Sequence, residues 1–177
     1  MEAHRKNLKE IYKGIIIDLD VEDVVLPNNE ECKMEIVRHP GASAIVPLLP
    51  DNRVVLIRQY RYITGGYLWE IPAGKLDDKE DPLSCAEREL AEEVGYKAEK
   101  FERLTTIWTG PGFTDERIHI YLATGLSPCA SDLEFDEIIE VSEKPIKEAI
   151  AMIQDREIVD AKSIIGLQLA YSMMKAE

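Results

Sequence analysis

Apolar positions in the first half of the chain fall in short runs separated by turn residues, a pattern that predicts strands. Ile15, Ile16, Ile17, Leu19, Val21, Val24, Val25 and Leu26 supply the first run. Pro27-Asn28-Asn29 marks a turn, and a returning run near Met34 to Val37 predicts an antiparallel partner in which Glu35 faces outward from Met34 and Ile36. Ala44 to Leu49 and Val54 to Ile57 flank Pro50-Asp51-Asn52, a hairpin signal, and Tyr67 to Ile71 is a further extended segment before Pro72-Ala73-Gly74.

The period then changes from two to 3.6. Leu83, Ala86, Leu90 and Val94 share one narrow helical stripe. Asp81 is placed as N-cap, Pro82 at the first helical position, and Gly95 where a left-handed terminating residue is wanted. Strands follow at Leu104 to Trp108, Ile118 to Ala123 and Ile138 to Val141. A helix starting at Pro145 would turn Ile146, Ala149, Ile150 and Ile153 inward, and another spans Ala161 to Met174. Strands, a helix, strands and then helices predict an α+β fold, an α/β/α sandwich with a mixed sheet, preceded by N-terminal antiparallel strands.

Composition narrows the setting. At 177 residues, 45% apolar and 31% charged, the chain has the size of one domain and the balance of a soluble globular protein. No apolar run approaches the roughly 20 residues that span a bilayer. The start is polar, with His4, Arg5, Lys6 and Lys9, and shows no export signal, so a cytoplasmic location is expected. A formal net charge of −13 disfavours nucleic acid and anionic lipid as partners. The odd set Cys32, Cys85 and Cys129 lacks CxxC spacing and reads as free, semi-buried thiols. His39 and His119 have no metal-spaced partner and read as structural, and Trp69 and Trp108 as core or interface.

The chemistry concentrates on the capped helix. Glu89 and Glu93 stack one turn apart at the edge of the apolar stripe, with Glu92 beside them. Two unpaired carboxylates there repel each other and resist desolvation, and a hard divalent cation with oxygen ligands resolves that conflict. Arg88 can orient the cluster through a guanidinium–carboxylate fork. Gly74, Glu80 and Arg88-Glu89-Leu90-Ala91-Glu92-Glu93-Val94-Gly95-Tyr96 together form G-x5-E-x7-R-E-U-x-E-E-x-G-U, with U a bulky apolar residue. This pattern resembles the Nudix box of the Nudix hydrolases.

That resemblance implies a Nudix α/β/α sandwich hydrolysing a nucleoside diphosphate linked to another moiety, with Mg²⁺ or Mn²⁺ as cofactor. By position, Glu89, Glu93 and the Ala73 carbonyl become metal ligands. Glu92 is a further ligand or the proton acceptor, and Glu80 and Arg88 support the catalytic cluster. Arg38-His39-Pro40-Gly41-Ala42, Arg58-Gln59-Tyr60-Arg61, Glu70-Ile71-Pro72-Ala73-Gly74 and Pro111-Gly112-Phe113-Thr114-Asp115-Glu116 are similar to the ADP-ribose pyrophosphatase branch. Gly110 departs from it, where some relatives carry Ser.

The same resemblance implies ADP-ribose as substrate and a homodimer. Residues 1–40 would form an N-terminal strand region used in dimerisation, and residues 41–177 the hydrolase domain. Strand alternation places Arg58 and Arg61 on opposite faces, and the resemblance favours Arg61, past the strand end, as the phosphate clamp. By the same resemblance Glu35 would contact the adenine amino group from the neighbouring subunit, Ile16 would pack against the ring, and Glu116 would meet the ribose or serve as a cap. Glu137, in the acidic segment Asp132 to Glu137, competes with Glu92 as the base that activates water. Another nucleoside diphosphate sugar as substrate, or a non-catalytic nucleotide sensor, are the alternatives.

Overall fold

The computed structural model describes residues 2–176, which divide into two compact units. The first comprises the chain through Gly41 together with Ile107–Ile118. It holds β1 (His4–Lys13), β2 (Asp18–Val25) and β3 (Glu31–Arg38), an antiparallel sheet in the order β1-β2-β3.

The N-terminal reading needs two corrections. β1 is a ten-residue strand where the sequence shows only a polar segment, because every residue in it is exposed and an unburied strand carries no apolar alternation. Ile15–Ile17 precede β2 instead of opening it. Gly14 N–H donates to the Ile17 carbonyl in a turn, which leaves the Ile15 side chain fully in solvent. The inward face of β2 is also inverted in character, with Asp20 and Glu22 buried beside Val24. Arg38 satisfies them through Nε to Asp20 at 3.0 Å and Nη2 to Glu22 at 2.5 Å. Its Nη1 reaches Asp115 at 3.0 Å, tying the Pro111–Asp115 turn to β3. A buried charge is tolerated only when paired in this way.

The second unit comprises Ala42–Thr106 and the chain from His119 onward. Its elements are β4 (Ala42–Pro47), β5 (Arg53–Arg61), β6 (Gly66–Glu70), β7 (Ala73–Lys75), α1 (Pro82–Val94), β8 (Tyr96–Lys97), β9 (Lys100–Trp108), β10 (Arg117–Thr124), β11 (Ser127–Pro128), β12 (Ile139–Pro145), α2 (Ile146–Gln154) and α3 (Ala161–Ala176). The last two residues of β9 and the first two of β10 count with the first unit. One sheet runs β7-β4-β10-β9, another β12-β5-β6, and β11 pairs with β8.

Alternation along β4 and β10 produces the layers. Ile45, Tyr121 and Ala123 face α1 through Ala86, Leu90 and Val94, with Val55 and Ile57 of β5 completing that core. Val46 and Ile120 face the other way, against α3. There Gly166 permits close approach, since a β-carbon on it would stand 3.0 Å from Ile71 Cδ1 and Val46 Cγ2. Helices on both faces of the strands make the expected α/β/α sandwich, and each fully buried Ile or Leu contributes about 1.5–3 kcal/mol. No helix among the described residues is long and apolar enough to cross a membrane.

Candidate active site

Capping chemistry sets α1. Asp81 Oδ2 accepts from Leu83 N–H at 2.9 Å, Pro82 opens the first turn, and Gly95 at φ +69° closes the helix with its N–H on the Ala91 carbonyl. Leu83, placed on the inward stripe by its spacing, stays exposed, and Cys85 fills the core at that end instead. Ser43 Oγ donates to the Pro82 carbonyl at 2.6 Å and pins the first turn to β4. With the helix rotation set by Ala86, Leu90 and Val94, Glu89 and Glu93 fall at the edge of the core, 6% and 2% exposed.

The loop from Ala73 to Glu80 is shaped around these two carboxylates. A β-carbon at residue 74 would lie 1.8 Å from Glu89 Oε1, so any side chain there must push that carboxylate out of its place. Ala73 N–H donates to Glu93 Oε2 at 2.8 Å. Arg88 grips Glu80 with a fork, Nε and Nη2 each at 3.0 Å. Its Nη1 bridges Glu89 Oε1 at 2.6 Å and Glu92 Oε2 at 3.0 Å, and Nη2 also reaches the Lys75 carbonyl. Glu80 in turn accepts from Asp77 N–H at 3.0 Å. Helix and loop are thus stitched through one guanidinium.

Electrostatics at this edge are strained. Burial pushes the Glu89 carboxyl up to about 7, against the opposing pull of Arg88. Glu93 rises to about 8, first through burial and then through the charge of Glu89. Both also feel Glu137, which the loop before β12 brings to the same edge. There Glu137 Oε2 accepts from Glu134 N–H at 2.9 Å. Among the described residues no three His, Cys, Asp or Glu side chains are gathered as a cage for a metal ion. Arg88 occupies Glu89 and Glu92, and Glu93 turns to Ala73 N–H. Two buried, incompletely compensated carboxylates nevertheless suit Mg²⁺-like cations, which take one or two carboxylates and complete their shell with water and substrate oxygens.

A second polar group lies on the β5–β6 sheet. Arg61, the last residue of β5, forks Glu70 with Nε at 2.8 Å and Nη2 at 2.9 Å. Glu70 is 2% exposed and also contacts Lys162 Nζ from the first turn of α3. Burial acts most strongly to raise Glu70, yet the two cations outweigh it and hold the carboxyl below its ordinary range. Arg61 lies near enough to α1 to feel the charge of Glu93.

The NUDIX domain model matches residues 37–164. The chain belongs to the Nudix family. It is 44% identical over 162 residues to a methanol dehydrogenase activator from Bacillus methanolicus, covering 90% of this chain and 88% of that protein. It is 41% identical, with the same coverage, to an ADP-ribose pyrophosphatase from Bacillus subtilis (strain 168). A solved structure of an ADP compounds hydrolase shares the fold, with TM-score 0.85 at 22% identity, covering 99% of this chain and 96% of the other.

The second unit therefore assembles Ala73, Glu80, Arg88, Glu89, Glu92 and Glu93 of the Nudix box, together with Arg61 and Glu137. Arg58 stands on the opposite face of β5, where it ion-pairs Glu140 at 3.2 Å and lies 4.7 Å above the Tyr67 ring. Ile16, Glu35 and Glu116 belong to the first unit. Ile16 and Glu35 are exposed, and Glu116 accepts from Thr109 Oγ1 at 2.6 Å with His39 Nδ1 at 3.5 Å. Trp108 is not core: it is about half exposed, lies under Arg117, and lines a groove of about 300 Å³ with Met34, Ile36 and Phe113.

Sequence reasoning about this Nudix site passed over Lys162, and it held Glu70 and Gln59 only within stretches similar to the branch, with no role of their own. Gln59 is buried beside Ile57 and Arg61 on one face of β5, and its Oε1 has no hydrogen-bond partner among the described residues. The signal that was available is a charged or amide residue inside an otherwise apolar strand, as Glu70 is within Tyr67 to Ile71.

Proposed function

We propose that this Nudix hydrolase cleaves the pyrophosphate of ADP-ribose to AMP and ribose 5-phosphate with Mg²⁺ as cofactor, Mn²⁺ substituting. The reading rests on the buried Glu89–Glu93 pair, and its substrate on the 41% identity to an ADP-ribose pyrophosphatase along nearly the whole chain. Glu89, Glu93, Glu92 and the Ala73 carbonyl would hold the cation. When bound, it supplies positive charge to the diphosphate and lowers the pKa of water.

The remaining work falls to the chain itself. Arg61 offers its Nη1 edge to phosphate oxygens, since its Nε and Nη2 are committed to Glu70. Arg88 keeps the acidic side chains oriented. Glu137 or Glu92 takes the proton of the attacking water, and Glu137, carried on a loop, is suited to closing over bound substrate. Glu35 and Ile16 serve adenine, Glu116 the ribose, and Arg58 a peripheral contact. A homodimer built through the N-terminal strands and a cytoplasmic location complete the proposal. Three free thiols and a net charge of −13, unfavourable to nucleic acid, support that setting.

The test is release of AMP from ADP-ribose with Mg²⁺, with and without EDTA, on wild type and Glu93→Gln side by side. Metal-dependent release lost in the variant is the expected result. Tight Mg²⁺-dependent binding without turnover would establish a sensor instead. Relative kcat/KM for ADP-ribose, ADP-glucose, GDP-mannose and NADH decides the substrate. NADH, a diphosphate-bridged dinucleotide, belongs in that panel because turnover of it would mark a broad enzyme.

A further inference from the structure

The Glu70 carboxylate joins three elements. It sits at the end of β6 opposite Ile57, so its side chain shares a sheet face with Ile57, Gln59 and Arg61 of β5. Arg61 pairs with Gly66 in the ladder, and its side chain must run diagonally back across Gln59 to reach Glu70. From the far side, Lys162 contacts the same Glu70 Oε2 that receives Arg61 Nη2, and it pairs with Asp160 at 3.0 Å.

Lys162 is itself held by the start of α3. Asp160 Oδ2 caps that helix by accepting from Ser163 N–H at 3.0 Å and Ser163 Oγ at 2.5 Å, while Ser163 Oγ accepts from Ile71 N–H at 2.8 Å. The lysine side chain is 11% exposed, so its ammonium is a fixed charge rather than a solvated one. A carboxylate that binds an arginine through one fork can still swing about it; a second cation on Oε2 removes that freedom. Arg61 remains 40% exposed with its Nη1 making no hydrogen bond among the described residues, an open donor edge on an otherwise immobilised guanidinium.

We propose that Lys162 is a positioning residue for the diphosphate: through Glu70 it locks Arg61 with the Nη1 edge presented to phosphate oxygens, making the start of α3 part of the substrate site. The proposal rests on the hydrolase reading only in taking Arg61 as the phosphate contact. Lys162 touches no substrate; its effect passes through Glu70 to Arg61. A lysine acting only on its own long-range charge, or only on fold stability, would not depend on Arg61 being present.

A double-mutant cycle separates these cases. Wild type, Lys162→Met, Arg61→Ala and the double variant are compared in kcat and KM for ADP-ribose, and in calorimetric binding of inorganic pyrophosphate with Mg²⁺. Thermal melting is followed throughout. Lys162→Met is expected to lower kcat/KM and weaken pyrophosphate binding on the order of tenfold, a loss typical of a displaced positioning contact. In the Arg61→Ala background it should cost nothing further, and Lys162→Arg should recover most of the loss. Leu167→Ala, a truncation of a fully buried side chain further along α3 that carries no charge, should lower the melting temperature while leaving kcat/KM near wild type.

Additive losses, or no loss in Lys162→Met, overturn the proposal. Should wild type not hydrolyse ADP-ribose, the pyrophosphate cycle still decides: non-additive binding keeps the positioning role and overturns the substrate alone. Absence of pyrophosphate binding in wild type removes Arg61 as phosphate contact and overturns the proposal with it.

Discussion

Gly74 and Glu89 compete for one space. The carboxylate of Glu89 lies where a side chain on residue 74 would begin, 1.8 Å from the position of a β-carbon. The glycine therefore serves the placement of a side chain fifteen residues on, rather than a left-handed backbone. Gly74→Ala should displace Glu89 and lower turnover on the order of a hundredfold, the scale of an ångström-sized misplacement at a reacting centre. Stability should change little, because the crowded atoms are the far end of a flexible side chain that can turn aside. Kinetics together with urea unfolding check both, and a fully active Gly74→Ala enzyme would refute the crowding argument.

Arg88 uses all three of its nitrogens on the box: a fork to Glu80, a bridge over Glu89 and Glu92, and the Lys75 carbonyl. Hydrogen bonding to Glu80, ahead of the other contacts, holds its pKa above the ordinary arginine value. Lysine keeps the charge but has no planar fork. Arg88→Lys should retain the fold and lose roughly 10- to 100-fold in metal-dependent activity, as for other residues that orient metal ligands. Titrating Mg²⁺ against activity reads this out as a raised half-saturation concentration.

The acidic pair makes stability depend on pH. Both carboxyls titrate higher in the folded chain than the ordinary glutamate value of 4.5, Glu89 at about 7 and Glu93 at about 8. A group raised in this way contributes stability that is complete below its unfolded pKa and is lost as pH rises through the folded one. Metal-free wild type should therefore lose melting temperature relative to Glu93→Gln from about pH 5 to about pH 9. Near pH 9 the inactive variant should be the more stable protein. Mg²⁺ should reverse the trend, because its ligands bind only when deprotonated, and its stabilising effect should grow with pH. Scanning calorimetry across that range in EDTA and in Mg²⁺ measures both signs, and parallel curves for the two proteins would contradict the assignment.

Asp81 carries the N-cap of the helix that bears the site. Asp81→Ala should cost about 1 kcal/mol, within the range of cap deletions, and leave KM unchanged at temperatures below melting. Chemical denaturation reads the first effect and steady-state kinetics the second. A large KM change would mean that the helix start moves when its cap is lost.

Much of α1 is legible in the sequence, and for a local reason. Cap, first-turn proline, apolar stripe and terminating glycine lie within one short segment, and helix geometry alone then stacks Glu89 over Glu93. The strand–helix–strand–helix order that leads to the sandwich is likewise legible, as short continuous apolar runs, because both faces of β4 and β10 are buried. β1 escaped that logic, since no face of it is buried, and Asp20 and Glu22 inverted it, since Arg38 makes an acidic inner face tolerable.

What the sequence by itself determined, then, is the acidic helix and the glycine loop that must accompany it. The tertiary structure decided which distant residues complete the site. Lys162 meets Glu70 across 92 positions, and Arg61 reaches that carboxylate by crossing a strand ladder. Neither pairing has a spacing or a period, because each is made by packing α3 and β5 against the same sheet edge. Periodicity records how a segment buries its own face; which charge is left to neutralise another is settled only when those faces meet.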